Sequence, residues 1–334
     1  MILGIETSCD ETAAAVAGTD AVVLAEVVRS QVETHARFGG VVPELAGRCH
    51  IESIDLVVQE ALARAGVGTR DLSAIAVTGG PGLIGALLVG VAYGKALAYS
   101  LDIPLIPVNH LEGHLSAAWL GTTRVTPPFV ALIASGGHTN LYHVQAGGEP
   151  SLMGRTMDDA AGEAFDKAAK MLGLGYPGGP MIDRLAQEGD PEKAPFPRPY
   201  PTCEDLNFSF SGIKTALLYY LRDREAAGRT WHVPDVAAGF QQAIVDVLVA
   251  KTLAAARRVG VRDVVVTGGV AANSQLRALF ESRGREVGIA VHIPPFQYCT
   301  DNGAMIAVAG ARLLGGGRTA TLAFEPRADW AIGA

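Results

Sequence analysis

Ile2-Leu-Gly-Ile-Glu-Thr-Ser-Cys-Asp-Glu-Thr-Ala-Ala-Ala-Val-Ala17 holds two short apolar runs, Ile2–Ile5 and Ala13–Ala17, separated by turn signals at Ser8–Asp10. A third run, Val22–Val28, follows a second turn at Gly18–Asp20, so the chain opens as a strand–turn–strand meander. The same opening recurs later: Phe129–Ala134 reads as a buried strand, Ser135-Gly-Gly-His138 as a tight turn, and Asn140–Val144 as the hairpin partner. After the first meander come a helical stretch around Ile51 to Ala65, a strand at Ala74–Thr78, a glycine-rich helix after Pro81 and a strand at Leu105–Val108. After the second come a helical insertion, the strand Val264–Thr267 ending in Gly268-Gly269, a helix from about Asn273, and a small-residue helix over 302–314. Two meander-opened halves predict an internally duplicated α/β fold of two lobes, 1–126 and 127–334, with a helical and proline-rich insertion at about 150–235 in the second. Glycine pairs stand at Gly79-Gly80, Gly136-Gly137, Gly178-Gly179 and Gly268-Gly269. One such turn merely bends a chain; four predict backbone N–H groups gathered for phosphate in a nucleotide cleft.

The 334 residues, 49% hydrophobic and 18% charged, suit a well-packed globular chain too long for one core. A net charge of −7 argues against general affinity for nucleic acid, though not against a local basic surface. Basic residues gather at Lys193, Arg198, Lys214, Arg257, Arg258, Arg262, Arg277, Arg283 and Arg285, where solvated helix faces are the plainer explanation. Residues 189–205 include five prolines, Pro191 to Pro201, and predict an extended surface loop. The cysteines Cys9, Cys49, Cys203 and Cys299 show no paired spacing, which disfavours a disulfide framework or zinc ribbon and fits a reducing cytoplasm. The first residues carry no secretory leader pattern, and the apolar stretch Gly82 to Leu101, with Lys95 in its middle, is expected to be a buried core helix rather than a membrane span.

His110 and His114, in Asn109-His-Leu-Glu-Gly-His114, are one helical turn apart, so one helix face can present both imidazoles to a single metal ion. Asp301, in Asp301-Asn-Gly303, can add a carboxylate and leave positions open for substrate. A helical His pair without a metal is the alternative. Glu6, Asp10 and Glu11 surround the first turn, where an acid can orient water or a metal-bound group, or Asp10 can simply cap an Asx turn. Ser135-Gly-Gly-His-Thr139 suits a ligand-binding turn better than a nucleophilic serine, since no Gly-x-Ser-x-Gly elbow is present. Asp158 to Lys170 predicts a helix with Asp159, Glu163, Asp166 and Lys170 on a charged face; it runs toward Gly173–Pro180 and Asp183, so Asp166 and Asp183 can flank a ribose. Asn273 is placed to cap a helix and to contact a base or ribose.

Taken together, Gly4–Thr12, Gly80–Leu83, Asn109–His114, Ser135–Thr139, Asp158–Lys167, Gly175–Pro180, Phe208–Thr215, Gly268–Asn273 and Tyr298–Ala307 closely resemble the bacterial tRNA adenosine threonylcarbamoyltransferases, a family once labelled O-sialoglycoprotein endopeptidase. The resemblance implies the fold of actin, sugar kinases and heat-shock ATPases, with two lobes closing on a nucleotide. It implies that His110, His114 and Asp301 bind one metal, commonly iron, with zinc as the alternative and magnesium accompanying bound nucleotide. It further implies that Ile133, Ala134, Ser135, Gly136, Gly137, Asp166, Gly179, Asp183 and Asn273 hold the adenylate of threonylcarbamoyl-AMP. The acceptor is N6 of the adenine just 3′ of the anticodon in tRNAs reading codons that begin with A. Asp10 or Glu11 is placed to take the amine proton. Implied partners are the tRNA anticodon stem-loop, a degenerate homologue and a small P-loop ATPase, in the cytoplasm and with no membrane. His-Leu-Glu-Gly-His lacks the His-Glu-x-x-His order of a metalloprotease. A kinase or chaperone of this fold would not need the His pair, and the degenerate scaffold homologue lacks it.

Overall fold

A computed structural model describes residues 1–121, 125–199 and 204–332. The chain divides into two compact units, one made of Met1–Arg124 with Pro294–Ala334, the other of Val125–Ile293.

In the first unit β1 (Ile2–Glu6), β2 (Glu11–Ala17) and β3 (Val23–Ser30) form the expected meander, and β4 (Ala74–Gly80) and β5 (Leu105–Asn109) extend the sheet in parallel, in the order β3-β2-β1-β4-β5. Both faces of β1 are covered, which explains why it reads as continuously apolar rather than alternating. Leu3 and Ile5 pack against Ile54, Val57, Val58 and Val91, from α2 (Pro43–Ala65) and α3 (Ile84–Leu101), which follow the short α1 (Val32–Ala36). α4 (His110–Ser116) begins directly after β5.

The second unit repeats the plan: β6 (Phe129–Ala134), β7 (Thr139–Val144) and β8 (Pro150–Arg155) form its meander. α5 (Ala161–Met171), α6 (Gly178–Ala186), α7 (Ser211–Ala226) and α8 (Val233–Val259) precede β9 (Asp263–Thr267); α9 (Ser274–Val287) and β10 (Ala290–His292) complete the unit. Its sheet order, β10-β9-β6-β7-β8, matches that of the first sheet read in reverse, with β9 parallel to β6 as β4 is to β1. The duplication read from the two openings is therefore present strand for strand. β8 corrects the expected insertion boundary, since 150–155 belongs to the sheet and the added helices begin after it.

The expected second lobe, 127–334, differs at its end, because α10 (Gly303–Gly315) packs in the first unit. Its Ala304, Met305, Ile306 and Val308 bury Ile2, Ala15, Ala76 and Ile106 on the sheet face opposite α2 and α3. Glycine allows the close approach: a Cβ on Gly303 would lie 2.6 Å from the Ala14 backbone, and one on Gly4 would lie 2.3 Å from the Ala307 nitrogen. Gly303→Ala is expected to cost about 1–3 kcal/mol of stability through this overpacking. An unchanged melting temperature would contradict that packing.

Among the described residues two helices, α3 and α8, are long and apolar enough to cross a membrane by length and composition. α8 is mostly buried in its unit, whereas α3, expected as a core helix, buries one face only. Ala86, Leu87, Gly90, Val91, Gly94 and Ala98 are its buried residues, while Ile84, Leu88 and Tyr99 lie exposed. Among its described residues the 189–205 loop holds one 3-10 turn, Pro191–Lys193; Pro201 and Cys203 lie outside the described residues. Several of the gathered basic residues are already paired: Lys193 with Asp190, Arg198 with Asp246, Lys214 with Asp159, Arg283 with Glu286 and Arg285 with Glu281.

Candidate functional site

Asn109, the last residue of β5, caps α4, its side-chain oxygen accepting from the Leu111 and Glu112 backbone N–H groups. That cap starts the helix at His110 and sets both histidines on one turn, with ring centroids 4.7 Å apart. Asp301, just before α10, lies alongside: its Oδ1 is 3.6 Å from His110 Nε2 and 3.2 Å from His114 Nε2. The three ligand atoms all lie within 4.8 Å of one another. His114 is fully buried, yet among the described residues neither ring nitrogen has a hydrogen-bond partner, and Asp301 meets it as an ion-pair contact. Buried imidazole nitrogens are ordinarily satisfied, so these atoms are arranged for something other than hydrogen bonds within the protein. Two imidazoles and one carboxylate form the donor set of a non-haem iron or catalytic zinc site, and the residues fit a metal ion. Burial alone would lower the pKa of His110, but the Asp301 and Glu6 carboxylates outweigh it and raise the value to about 9.

The turn between β1 and β2 lies close enough to Asp301 for their charges to interact. Burial first, then Asp301, raises the pKa of Asp10. Burial pushes Glu11 up to about 8, against the opposing hydrogen bond from Ser30 Oγ, while its Oε2 has no hydrogen-bond partner among the described residues. These carboxyls are more basic than ordinary ones, which suits proton transfer. Glu11 also imposes a pH dependence. Its unfolded chain ionises near 4.5 while the folded chain holds the proton to about 8, so folding loses stability as pH rises through that window. Glu11→Gln is therefore expected to gain stability relative to the parent between pH 5 and pH 8, measured by denaturant unfolding of chelator-treated protein. An equal difference at both pH values would contradict the shifted carboxyl.

The adenylate residues inferred from the sequence meet in the second unit, beyond the C-terminal ends of β6 and β9. Ile133 pairs with Thr267, and Ala134 closes β6. Gly268 has a φ of +91°, a left-handed conformation that favours glycine, and a Cβ there would lie 2.3 Å from the Ala134 oxygen. Ser135 turns the chain, its backbone N–H donating to the His138 oxygen and its Oγ accepting from the His138 N–H. Gly136 and Gly137 have open space where side chains would stand, as does Gly179. Gly162, at the start of α5, donates its N–H to the Ser135 oxygen.

Asp166 Oδ1 accepts the Gly178 N–H at 2.7 Å and so ties α5 to the start of α6. Asp183 accepts from the Ser274 N–H and, at 2.8 Å, from its hydroxyl, beside the start of α9. Asn273 caps α9, as its position in the sequence suggested, and donates to Gln241 Oε1 at 2.7 Å. Gln241, 2% exposed, was not singled out because α8 reads as a plain apolar helix. Two expectations change. Asp159 precedes α5 instead of lying on it, because Asp158 accepts the Phe210 and Ser211 N–H groups at the start of α7; Asp159 pairs with Lys167 and Lys214. Gly79-Gly80 is not a free phosphate turn, since the C-terminal segment crosses it: Arg327 donates its N–H to the Gly79 oxygen, and Phe324 and Trp330 pack on Gly79.

These features define a duplicated α/β protein with the fold of actin, sugar kinases and heat-shock ATPases, and with a His–His–Asp group able to hold a metal ion. Solved structures of that fold align over most of the chain. HypF from T. kodakarensis gives a TM-score of 0.62 at 14% identity, over 94% of this chain and 48% of that one. Component A of the Acidaminococcus fermentans (R)-2-hydroxyglutaryl-CoA dehydratase gives 0.57 at 16% identity, over 94% and 98%. Sequence identifies the family. The family model for TsaD, tRNA N6-adenosine threonylcarbamoyltransferase, matches residues 22–308. Proteins of that name from Syntrophotalea carbinolica and Geotalea uraniireducens are 52% and 54% identical, covering 99% and 93% of this chain and 97% and 90% of theirs. The chain belongs to the tRNA N6-adenosine threonylcarbamoyltransferase family.

Proposed function

We propose that the chain transfers threonylcarbamoyl from threonylcarbamoyl-AMP to N6 of the adenine just 3′ of the anticodon, in tRNAs reading codons that begin with A, with release of AMP. The reading is carried by the near-full-length match to transferases of that name, together with the assembled His110–His114–Asp301 group. The donor is a mixed carbamic–phosphoric anhydride. The acceptor amine is a poor nucleophile because its lone pair is delocalised into the ring. Rate must therefore come chiefly from orientation and from stabilising charge at the reacting carbonyl and phosphate.

His110, His114 and Asp301 would hold one ion, iron or alternatively zinc, which supplies a Lewis acid for phosphate or carbonyl oxygen. The Ser135–Gly137 turn and Gly179 would offer backbone N–H groups to the adenylate phosphate, with magnesium accompanying the nucleotide. Asp166, Asp183 and Asn273 would fix its ribose and base by taking and giving hydrogen bonds alongside those they already make. Asp10 or Glu11, in its ionised form, would accept the proton lost by N6 as the urea C–N bond forms and the carbonyl–phosphate bond breaks to release AMP. The target base would leave the anticodon-loop stack to be reached. A degenerate homologue and a small P-loop ATPase are the proposed protein partners, and the cytoplasm the place of action. Incubation of the chain and those partners with threonylcarbamoyl-AMP should release AMP in proportion to added cognate tRNA. Release equal with tRNAs reading other codons would overturn the acceptor assignment.

A further inference from the structure

We propose that Glu6 is a positioning residue of the metal centre, holding His110 with its Nδ1 protonated so that Nε2 is presented to the ion; this rests on the metal reading of His110, His114 and Asp301. Glu6 ends β1 and is 0% exposed. Its Oε1 accepts the Ser8 backbone N–H. Its Oε2 accepts the Thr78 hydroxyl at 2.7 Å and lies 3.1 Å from His110 Nδ1. Ser8 Oγ is a further neighbour of that nitrogen, at 3.2 Å.

A carboxylate removed from water is costly unless a positive group compensates it. Among the described residues, the ion pair recorded for Glu6 is with His110 alone. With Nδ1 given to Glu6, Nε2 is the nitrogen left to face Asp301, at 3.6 Å. A carboxylate accepting from the far nitrogen makes an imidazole a stronger ligand and fixes its tautomer and ring angle. Thr78 donates to the same Oε2 that meets the ring, while the Ser8 N–H, two residues along the chain, holds Oε1 and so keeps the carboxylate in place independently of Thr78.

A purely structural alternative has Glu6 doing no more than joining β1 to β4 through Thr78. Zinc affinity, measured by chelator competition, separates the two. Glu6→Gln is expected to weaken zinc binding by about 10–100-fold, with adenosine nucleotide affinity retained. Thr78→Val removes the inter-strand bond and leaves the carboxylate, so its zinc affinity should stay within about threefold of the parent, well short of the loss on removing an outer-shell partner. In zinc-loaded parent protein the His110 Nδ1–H proton should be shifted downfield and protected from exchange, and Glu6→Gln should abolish that signal. If Glu6→Gln does not fold, Glu6→Asp draws the charge back by one methylene and should still weaken zinc binding several-fold. Unchanged zinc affinity in the folded variant overturns the proposal, as does an equal loss in Thr78→Val. Parent protein without a stoichiometric zinc site would instead overturn the metal reading on which this rests.

Discussion

Replacing His110 and His114 together by alanine is expected to remove stoichiometric metal binding and to reduce threonylcarbamoyl transfer by about a hundredfold or more, while cooperative unfolding persists. Both rings meet Asp301, while the apolar core of the first unit is built from β-strand residues packed by α2, α3 and α10. α4 itself starts from the Asn109 cap, which the substitutions leave in place. Among the described residues the two His114 nitrogens have no hydrogen-bond partner, so the bonds the variant gives up include those of His110 Nδ1 to Glu6 and Ser8 but none at His114. Full transfer activity in the double variant would refute a catalytic metal. Loss of folding together with activity would make the site structural, as zinc-nucleated domains are.

Asp166→Ala is expected to weaken adenylate binding by about 10–100-fold, the range for losing a hydrogen bond to a charged group, with metal affinity unchanged. The carboxylate accepts the Gly178 N–H at 2.7 Å and so fixes the start of the helix that carries Gly179 and Asp183. Its removal is expected to loosen several proposed nucleotide contacts at once, which is why the effect should approach the upper end. Calorimetry with AMP and with zinc on the same variant tells the outcomes apart. Equal losses for both ligands would argue that Asp166 supports the whole chain and not the adenylate.

The local patterns proved the most legible. The Phe129–Ala134 run followed by a glycine turn gave β6 with its stated boundaries, and Asn273 is a helix cap. The His110–His114 spacing sufficed to put two imidazoles together, because an i, i+4 relation needs nothing beyond a single helical turn. What escaped was set by distant packing. Pro150-Ser-Leu-Met-Gly-Arg155 has no clean alternation and becomes β8 only by pairing with β7. α10 follows the second unit in sequence but joins the first through contacts at Gly4 and Gly303. The closure of Gly79-Gly80 likewise depends on residues 324–330, some 250 positions later. Glu6 stood out only as one acid near a turn, since its partners Thr78 and His110 come from other strands and helices.

The most direct test is nucleoside mass spectrometry of unmodified tRNA reading codons that begin with A, after incubation with threonylcarbamoyl-AMP, the purified chain and its bacterial partner proteins. The control omits this chain alone. Threonylcarbamoyladenosine formed only in the complete mixture is the expected result. No product, with metal content and partners verified, would contradict the transferase assignment and leave a nucleotide-binding protein of the same fold.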